Sequence, residues 1–197
     1  MKKQFAAEFV SIVLNPLTFL ILIPFIVVFR QTKNLEYSLK WEVFSLVIIF
    51  LGLGFLLYGM RSEIFSDFDL SKREERQKFY HITLVLTFAF FIITALLKGI
   101  FFHLTVVILS AFLIVLAFNV ANSFLKASIH LGTVCAFVVS MGLFFGLYVF
   151  IPLFPLIPII AWSRLTLKKH TPKELLVGGL IGTLITVVAF IMWELII

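Results

Sequence analysis

Long apolar runs separated by short polar stretches dominate the pattern of this 197-residue chain. Because the hydrocarbon core of a membrane is about 30 Å thick, a helix of roughly 17 to 25 apolar residues can cross it. Six runs of this kind are Phe9–Phe29, Val43–Met60, Ile82–Leu97, Phe101–Phe118, Leu131–Phe150 and Leu175–Ile196, and a shorter seventh is Leu153–Trp162. Prolines at 152, 155 and 158 favour a kink or turn in the seventh run. The pattern predicts an all-α, polytopic integral membrane helical bundle with six or seven transmembrane helices.

Composition excludes an ordinary soluble domain. Hydrophobic residues make up 62% of the chain, 25 residues are phenylalanine, and the mean hydropathy is +1.16. The net charge of +6 comes from basic residues scattered through loops beside the spans, which indicates contact with lipid headgroups rather than with nucleic acid. A single cysteine, Cys135, excludes an intramolecular disulfide.

Seven crossings would bring three polar loops to one membrane face. These loops are Arg61–Tyr80, Asn119–His130 and Ser163–Lys173. That face would carry 12 of the 16 lysines and arginines. The positive-inside rule therefore predicts that it is the cytoplasmic face of a cell membrane. Since the sequence shows no internal repeat or long linker, we expect one transmembrane domain over residues 1–197, with the chemistry-bearing region at about 67–182.

Two histidines and several cations lie in these loops. Ser163, Arg164, His170 and Glu174 form the pattern S-R-x5-H-x3-E before the last span. Three further polar residues, Lys126, Ser128 and His130, open an earlier span, and the first of the three loops contributes the cations Lys72, Arg73 and Arg76. All would lie at the same membrane face.

Phosphate chemistry accounts for this combination of residue types. Arginine bonds phosphate oxygens in pairs and lysine adds a point charge, so these cations are candidate phosphate ligands. A neutral histidine can attack phosphorus, while a second, protonated histidine gives a proton to the departing alkoxide. The nucleophile also needs an acceptor on its far nitrogen, and Glu174 follows His170 by four residues.

These residues resemble the type 2 phosphatidic acid phosphatase superfamily, which includes vanadium haloperoxidases. Its third motif, S-R-x5-H-x3-D, is matched by Ser163, Arg164 and His170, with Glu174 in place of aspartate. Its second motif, P-S-G-H, is kept only as Ser128 and His130, with Ile129 in place of glycine. The first motif, a lysine separated from R-P by six residues, is absent as such, and Asp69, with six residues between it and Arg76, stands at the lysine position.

The resemblance implies a lipid phosphatase without metal or cofactor. It would hydrolyse a phosphomonoester or diphosphate of a membrane lipid, such as an isoprenoid phosphate or a phosphatidate-like molecule. His170 would be the nucleophile, Glu174 its orienting group and His130 the general acid. Arg164 and Ser128 would bind phosphate, and the candidate ligands beside them are Lys126, Arg73, Arg76, Lys72 and Ser163.

Structural roles compete with these assignments. Thr171-Pro172-Lys173-Glu174 also has the pattern of a capping box, in which Glu174 bonds a backbone amide at the helix start. Arg73 and Arg76 could instead pair with neighbouring carboxylates in a solvated loop. Glycines 178, 179 and 182 have a spacing typical of close helix packing.

Two other functions remain open. The incomplete first and second motifs are compatible with a non-catalytic relative that binds or transports phospholipid. A magnesium-dependent prenyltransferase is the other alternative, because Asp67, Asp69, Glu74 and Glu75 are acidic residues of the kind that hold Mg²⁺ on a diphosphate. His81 is an outside candidate for the site, and His103 is expected on the opposite face.

Overall fold

The computed structural model describes the backbone of residues 2–96 and 102–196, and their side chains except those of 102–104, 193 and 196. Within these residues all regular structure is helical, in the order α1 Lys2–Val13, α2 Pro16–Thr32, α3 Leu35–Arg61, α4 Arg73–Leu96, α5 Phe102–Asn122, α6 Ile129–Phe145, α7 Leu147–Leu153, α8 Leu156–Thr166 and α9 Pro172–Ile196. Six segments are long and apolar enough to cross a membrane, and α6 is a shorter apolar helix. The expected all-α, polytopic membrane fold is confirmed.

Helix boundaries differ from the predicted spans where local chemistry intervenes. The first span is divided before Pro16, where Asn15 Oδ1 accepts a bond of 3.0 Å from the Leu17 amide. The predicted run Leu131–Phe150 ends early, because Gly146 has a φ of 88° and separates α6 from α7. Helices α7 and α8 together form a membrane-length segment of 20 residues that contains the proline-rich seventh run.

Contacts divide the chain into two compact units, Met1–Leu20 with Leu125–Ile197, and Ile21–Phe124. In the first unit, α6 and α9 run parallel. Gly178 packs on Ser128 and Gly182 on Gly132. Further along both helices, the ring centroids of Phe144 and Phe190 are 5.6 Å apart. A β-carbon at either glycine would collide with the α6 backbone. Close packing by these two glycines is therefore confirmed.

The second unit packs the later part of α2 with α3, α4 and α5. One apolar cluster contains Val28, Trp41, Phe90 and Ile108, each from a different helix. A second cluster of Leu56, Phe65 and Leu70 lies under the connection between α3 and α4. The second cluster holds the α3–α4 connection against α3 and α4.

Candidate active site

The N-terminal ends of α6 and α9 meet in the first unit. The Ser128 backbone amide donates to the Glu174 carbonyl across 3.0 Å, and Gly178 lies against the Ser128 backbone one turn further on. Since α6 and α9 are parallel, His130 near the start of α6 and His170 just before α9 belong to the same end of this unit. Their catalytic pairing stays a prediction.

His170 is held by two acceptors on one ring nitrogen. Its Nδ1 lies 3.1 Å from the Lys126 carbonyl oxygen and 3.3 Å from Glu174 Oε2. A carbonyl and a carboxylate can only accept, so Nδ1 carries a hydrogen in these contacts. In a neutral imidazole the lone pair then lies on Nε2, which is the form that a nucleophile or a base requires.

Glu174 makes both of the contacts considered for it, while its orienting role in catalysis stays a prediction. Besides its contact with His170, its Oε2 accepts a bond of 2.8 Å from the Thr171 amide. Thr171 Oγ1 accepts in return from the Glu174 amide at 3.4 Å, which completes the capping box at the start of α9. The cap therefore fixes the carboxylate that contacts the imidazole.

The serine and lysine before α6 provide a helix cap and a backbone contact. Ser128 is fully buried, and its Oγ accepts from the Leu131 amide at 3.4 Å as the N-cap of α6. Lys126 is half-buried, and its carbonyl is one of the two acceptors that contact His170 Nδ1. His130 is buried as the second residue of α6.

Ser163 and Arg164 lie in the last turn of α8, not in the predicted loop. Ser163 Oγ donates to the Ala7 carbonyl across 2.6 Å, and an Arg164 terminal nitrogen donates to Ser11 Oγ across 2.7 Å. Both residues are buried, Arg164 with only 1% of its surface exposed. They attach α8 to α1, so the residues that match the third motif have a packing role in this conformation.

Ser11 is the contact that the sequence did not reveal. It lies in the first apolar run. The sequence feature that relates it to this contact is its position four residues after Ala7, which puts both residues on one helix face. Nothing in that spacing indicates an arginine partner more than 150 residues away along the chain.

The remaining predicted cations belong to the second unit. Lys72 Nζ lies 3.0 Å from Glu75 Oε1, Arg73 donates to the carbonyls of Asn122 and Ser123, and Arg76 donates across 3.3 Å to the carbonyls of Asp69 and Leu70. Arg73 and Arg76 lie on α4, which begins nine residues before the predicted span at Ile82. Their charges hold α4 to α5 and to the α3–α4 connection, and phosphate binding by them stays a prediction.

Acidic residues of the same unit also have local partners. Glu75 Oε2 accepts from the Ser66 amide and hydroxyl at 2.8 and 2.9 Å, and Asp67 accepts from the Ser71 amide and hydroxyl. Among the residues that the structure describes, no group of three or more His, Cys, Asp or Glu side chains is arranged to hold a metal ion.

The other two histidines, His81 and His103, belong to the second unit. His81 is exposed, and its Nε2 lies 3.3 Å from the Gln77 side-chain nitrogen in the second unit. The side chain of His103 lies outside the described residues.

We found no match to this chain among protein-family models, curated proteins or solved structures.

Proposed function

We propose that this protein is a membrane-embedded lipid phosphatase that hydrolyses a phosphomonoester or diphosphate through a phosphohistidine intermediate on His170. The observation that carries the proposal is the contact of His170 Nδ1 with the Lys126 carbonyl and with Glu174, at 3.1 and 3.3 Å. These acceptors leave the lone pair of a neutral imidazole on Nε2, where it can attack phosphorus.

The reaction has two steps. His170 Nε2 forms a bond to phosphorus while the bond between phosphorus and the lipid oxygen breaks, and His130 gives a proton to that oxygen. Water then adds to phosphorus, the phosphorus–nitrogen bond breaks, and inorganic phosphate leaves. The water proton returns to His130, so the enzyme ends in its starting state.

Glu174 stabilises the histidine during this cycle. Attack through Nε2 places positive charge on the ring, and the carboxylate beside Nδ1 favours that charge. Arg164 and Lys126 are the proposed phosphate-binding cations of the same unit, with Ser128 and Ser163 beside them. For Arg164 to bind phosphate, its guanidinium would share or exchange the bond to Ser11.

A lipid is the proposed substrate because the site lies at one end of α9, which is long and apolar enough to span a membrane, and of the shorter apolar helix α6. An acyl or isoprenoid tail can stay in the bilayer while the phosphate group reaches the ends of α6 and α9. We place these helix ends on the cytoplasmic side of a cell membrane, because lysines and arginines concentrate in the neighbouring loops.

The activity is tested with purified full-length protein in vesicles that contain phosphatidate, an isoprenoid phosphate or an isoprenoid diphosphate. Phosphate release should persist with a chelator, because no step uses a metal ion. Loss of release on chelation would favour the magnesium-dependent prenyltransferase instead, and such an enzyme would release diphosphate and form a prenylated product. No release from any of these lipids would contradict the proposal.

A separate experiment tests which side of the membrane the start of α9 faces. Lys173→Cys in a Cys135→Ser background places one exposed thiol beside the start of α9. A membrane-impermeant maleimide should label it in intact cells only after the membrane is permeabilised. Labelling from outside the intact cell would reverse the proposed orientation.

A second candidate function is a non-catalytic protein that binds or transports phospholipid. The observation that favours it is the burial of the site, because only 1% of the His170 side chain is exposed and Arg164 and Ser163 bond to α1. Vesicle-flotation binding that depends on a lipid phosphate, without any phosphate release, would support this alternative.

A further inference from the structure

Glu42 lies inside a membrane-length helix, and its carboxyl oxygens are buried. It lies seven residues after Leu35, the first residue of α3, in a segment long and apolar enough to span a membrane. Both of its carboxyl oxygens are buried, and neither has a hydrogen-bond partner among the residues that the structure describes. The burial comes from the protein itself, without any contribution from lipid.

Glu42 directly follows Trp41, a member of an apolar cluster of the second unit. The neighbouring Trp41 packs with Val28, Phe90 and Ile108, which come from α2, α4 and α5. The backbone of Phe25 in α2 faces the carboxyl group but completes no hydrogen bond with it. The hydroxyl of Ser45, one turn further along α3, donates its hydrogen to the Trp41 carbonyl across 2.9 Å rather than to Glu42.

The described charged residues of α2, α3, α4 and α5 lie away from the Glu42 carboxyl group or bond to other groups. On α3, Glu36 and Lys40 pair with each other across 2.8 Å and are largely exposed. Arg30 is exposed near the end of α2, and Lys33 follows that helix. The charged residues of α4 all lie in its first three turns, at 73–81, away from Phe90, and the described side chains of α5, residues 105–122, include no titratable group.

An ionised carboxylate in this position would lack both water and hydrogen-bond donors. Such burial strongly disfavours the charged form, and protonation removes the charge. We propose that Glu42 is a proton-binding site in the membrane-embedded part of the protein, and that it is a neutral carboxylic acid at neutral pH. This inference does not depend on the phosphatase proposal, because it concerns a different unit and different residues.

Labelling with the hydrophobic reagent dicyclohexylcarbodiimide tests the proposal on full-length protein in vesicles. A protonated carboxyl adds its O–H across one C=N bond of the reagent, and transfer of the acyl group from oxygen to nitrogen gives a stable N-acylurea without a leaving group. An exposed glutamate is protonated in only about one molecule in 500 at pH 7. We therefore expect labelling at Glu42 to exceed that at Glu36 by at least about tenfold, measured by peptide mass spectrometry.

Two matched variants show which glutamate carries the label. Glu42→Gln should remove it and Glu36→Gln should retain it, and labelling of the wild type should fall as the pH is raised. Equal labelling of the two glutamates, or suppression of the Glu42 label by sodium ions at constant pH, would overturn the proposal. Suppression by sodium would identify a metal-cation site instead.

Infrared spectroscopy gives a second measurement that does not depend on access of the reagent. The wild type at neutral pH should show the carbonyl stretch of a protonated carboxylic acid, and Glu42→Gln should lose that band. A spectrum in which Glu42→Gln instead loses only a carboxylate band would show that Glu42 is ionised and would overturn the proposal.

Discussion

Glu174 contacts His170 from within the cap of its own helix, with Oε2 3.3 Å from His170 Nδ1 and 2.8 Å from the Thr171 amide nitrogen. One carboxylate oxygen thus serves both the helix start and the imidazole. The two functions can be separated by substitution, because glutamine can replace glutamate in a capping box but carries no charge.

Glu174→Gln is expected to lower phosphate release while leaving the protein folded. Its amide oxygen can still accept from Thr171, but it stabilises the positive ring of His170 much less, and turnover should fall roughly a hundredfold to ten-thousandfold. Steady-state phosphate release and thermal unfolding in detergent measure the two effects. Glu194→Gln, near the other end of α9, is the control and should leave both unchanged. Equal loss of activity in the two variants would remove Glu174 from the mechanism.

His130→Ala is expected to slow the departure of a poor leaving group. An alkoxide needs a proton as it leaves, so the loss of the general acid should lower turnover of a lipid phosphate by about a hundredfold to ten-thousandfold. A nitrophenyl phosphate ester needs no such proton, so the first step, measured as the initial burst of nitrophenolate, should be almost as fast as in the wild type. His81→Ala provides the matched control in the second unit. A similar loss with both leaving groups would assign His130 another role.

Gly182→Ala is expected to destabilise the α6–α9 pair. A β-carbon there would collide with the Gly132 backbone, and overpacking of this kind costs about 1–3 kcal/mol. Gly54→Ala is the control, because a β-carbon at Gly54 would meet nothing within 4 Å. Thermal unfolding in detergent should show a lower midpoint for the first variant and an equal or higher one for the second. Equal midpoints would mean that α6 and α9 are less closely packed at Gly182 than the structure shows.

Ser11→Ala is expected to cost about 1–3 kcal/mol, because it leaves a buried Arg164 donor without its Ser11 acceptor. Ser45→Ala should cost less, since the Ser45 hydroxyl donates to Trp41 four residues before it in the same helix, and its removal leaves no charged donor. Unfolding in detergent compares the two buried serines. A smaller effect of Ser11→Ala than of Ser45→Ala would show that the bond to Arg164 contributes little to stability.

The sequence predicted the helical, membrane-spanning character because apolar length alone decides it. It was less accurate at polar helix ends. The sequence pattern places Arg73 and Arg76 in a loop, although Glu74 and Glu75 in the first turn favour a helix there and the structure begins α4 at Arg73. The pattern also places Arg164 in a loop, but Arg164 lies in the last turn of α8, because a charged residue near a membrane surface can end a helix as readily as lie in a loop.

Local contacts of the candidate site could be predicted, and long-range ones could not. The capping box and the contact between His170 and Glu174 follow from a spacing of a few residues within one helix start. The Lys126 carbonyl beside His170 and the bond from Arg164 to Ser11 arise from tertiary packing, which apolar periodicity does not specify.

Trapping the covalent intermediate tests the central claim most directly. Full-length protein is mixed with a lipid phosphate labelled in its phosphoryl group, quenched in alkali, and analysed by peptide mass spectrometry. The account predicts an acid-labile, alkali-stable phosphoryl group on His170 that is absent from His170→Ala and present in His81→Ala. Phosphate release by His170→Ala at the wild-type rate, or a phosphoryl group on a different residue, would contradict it.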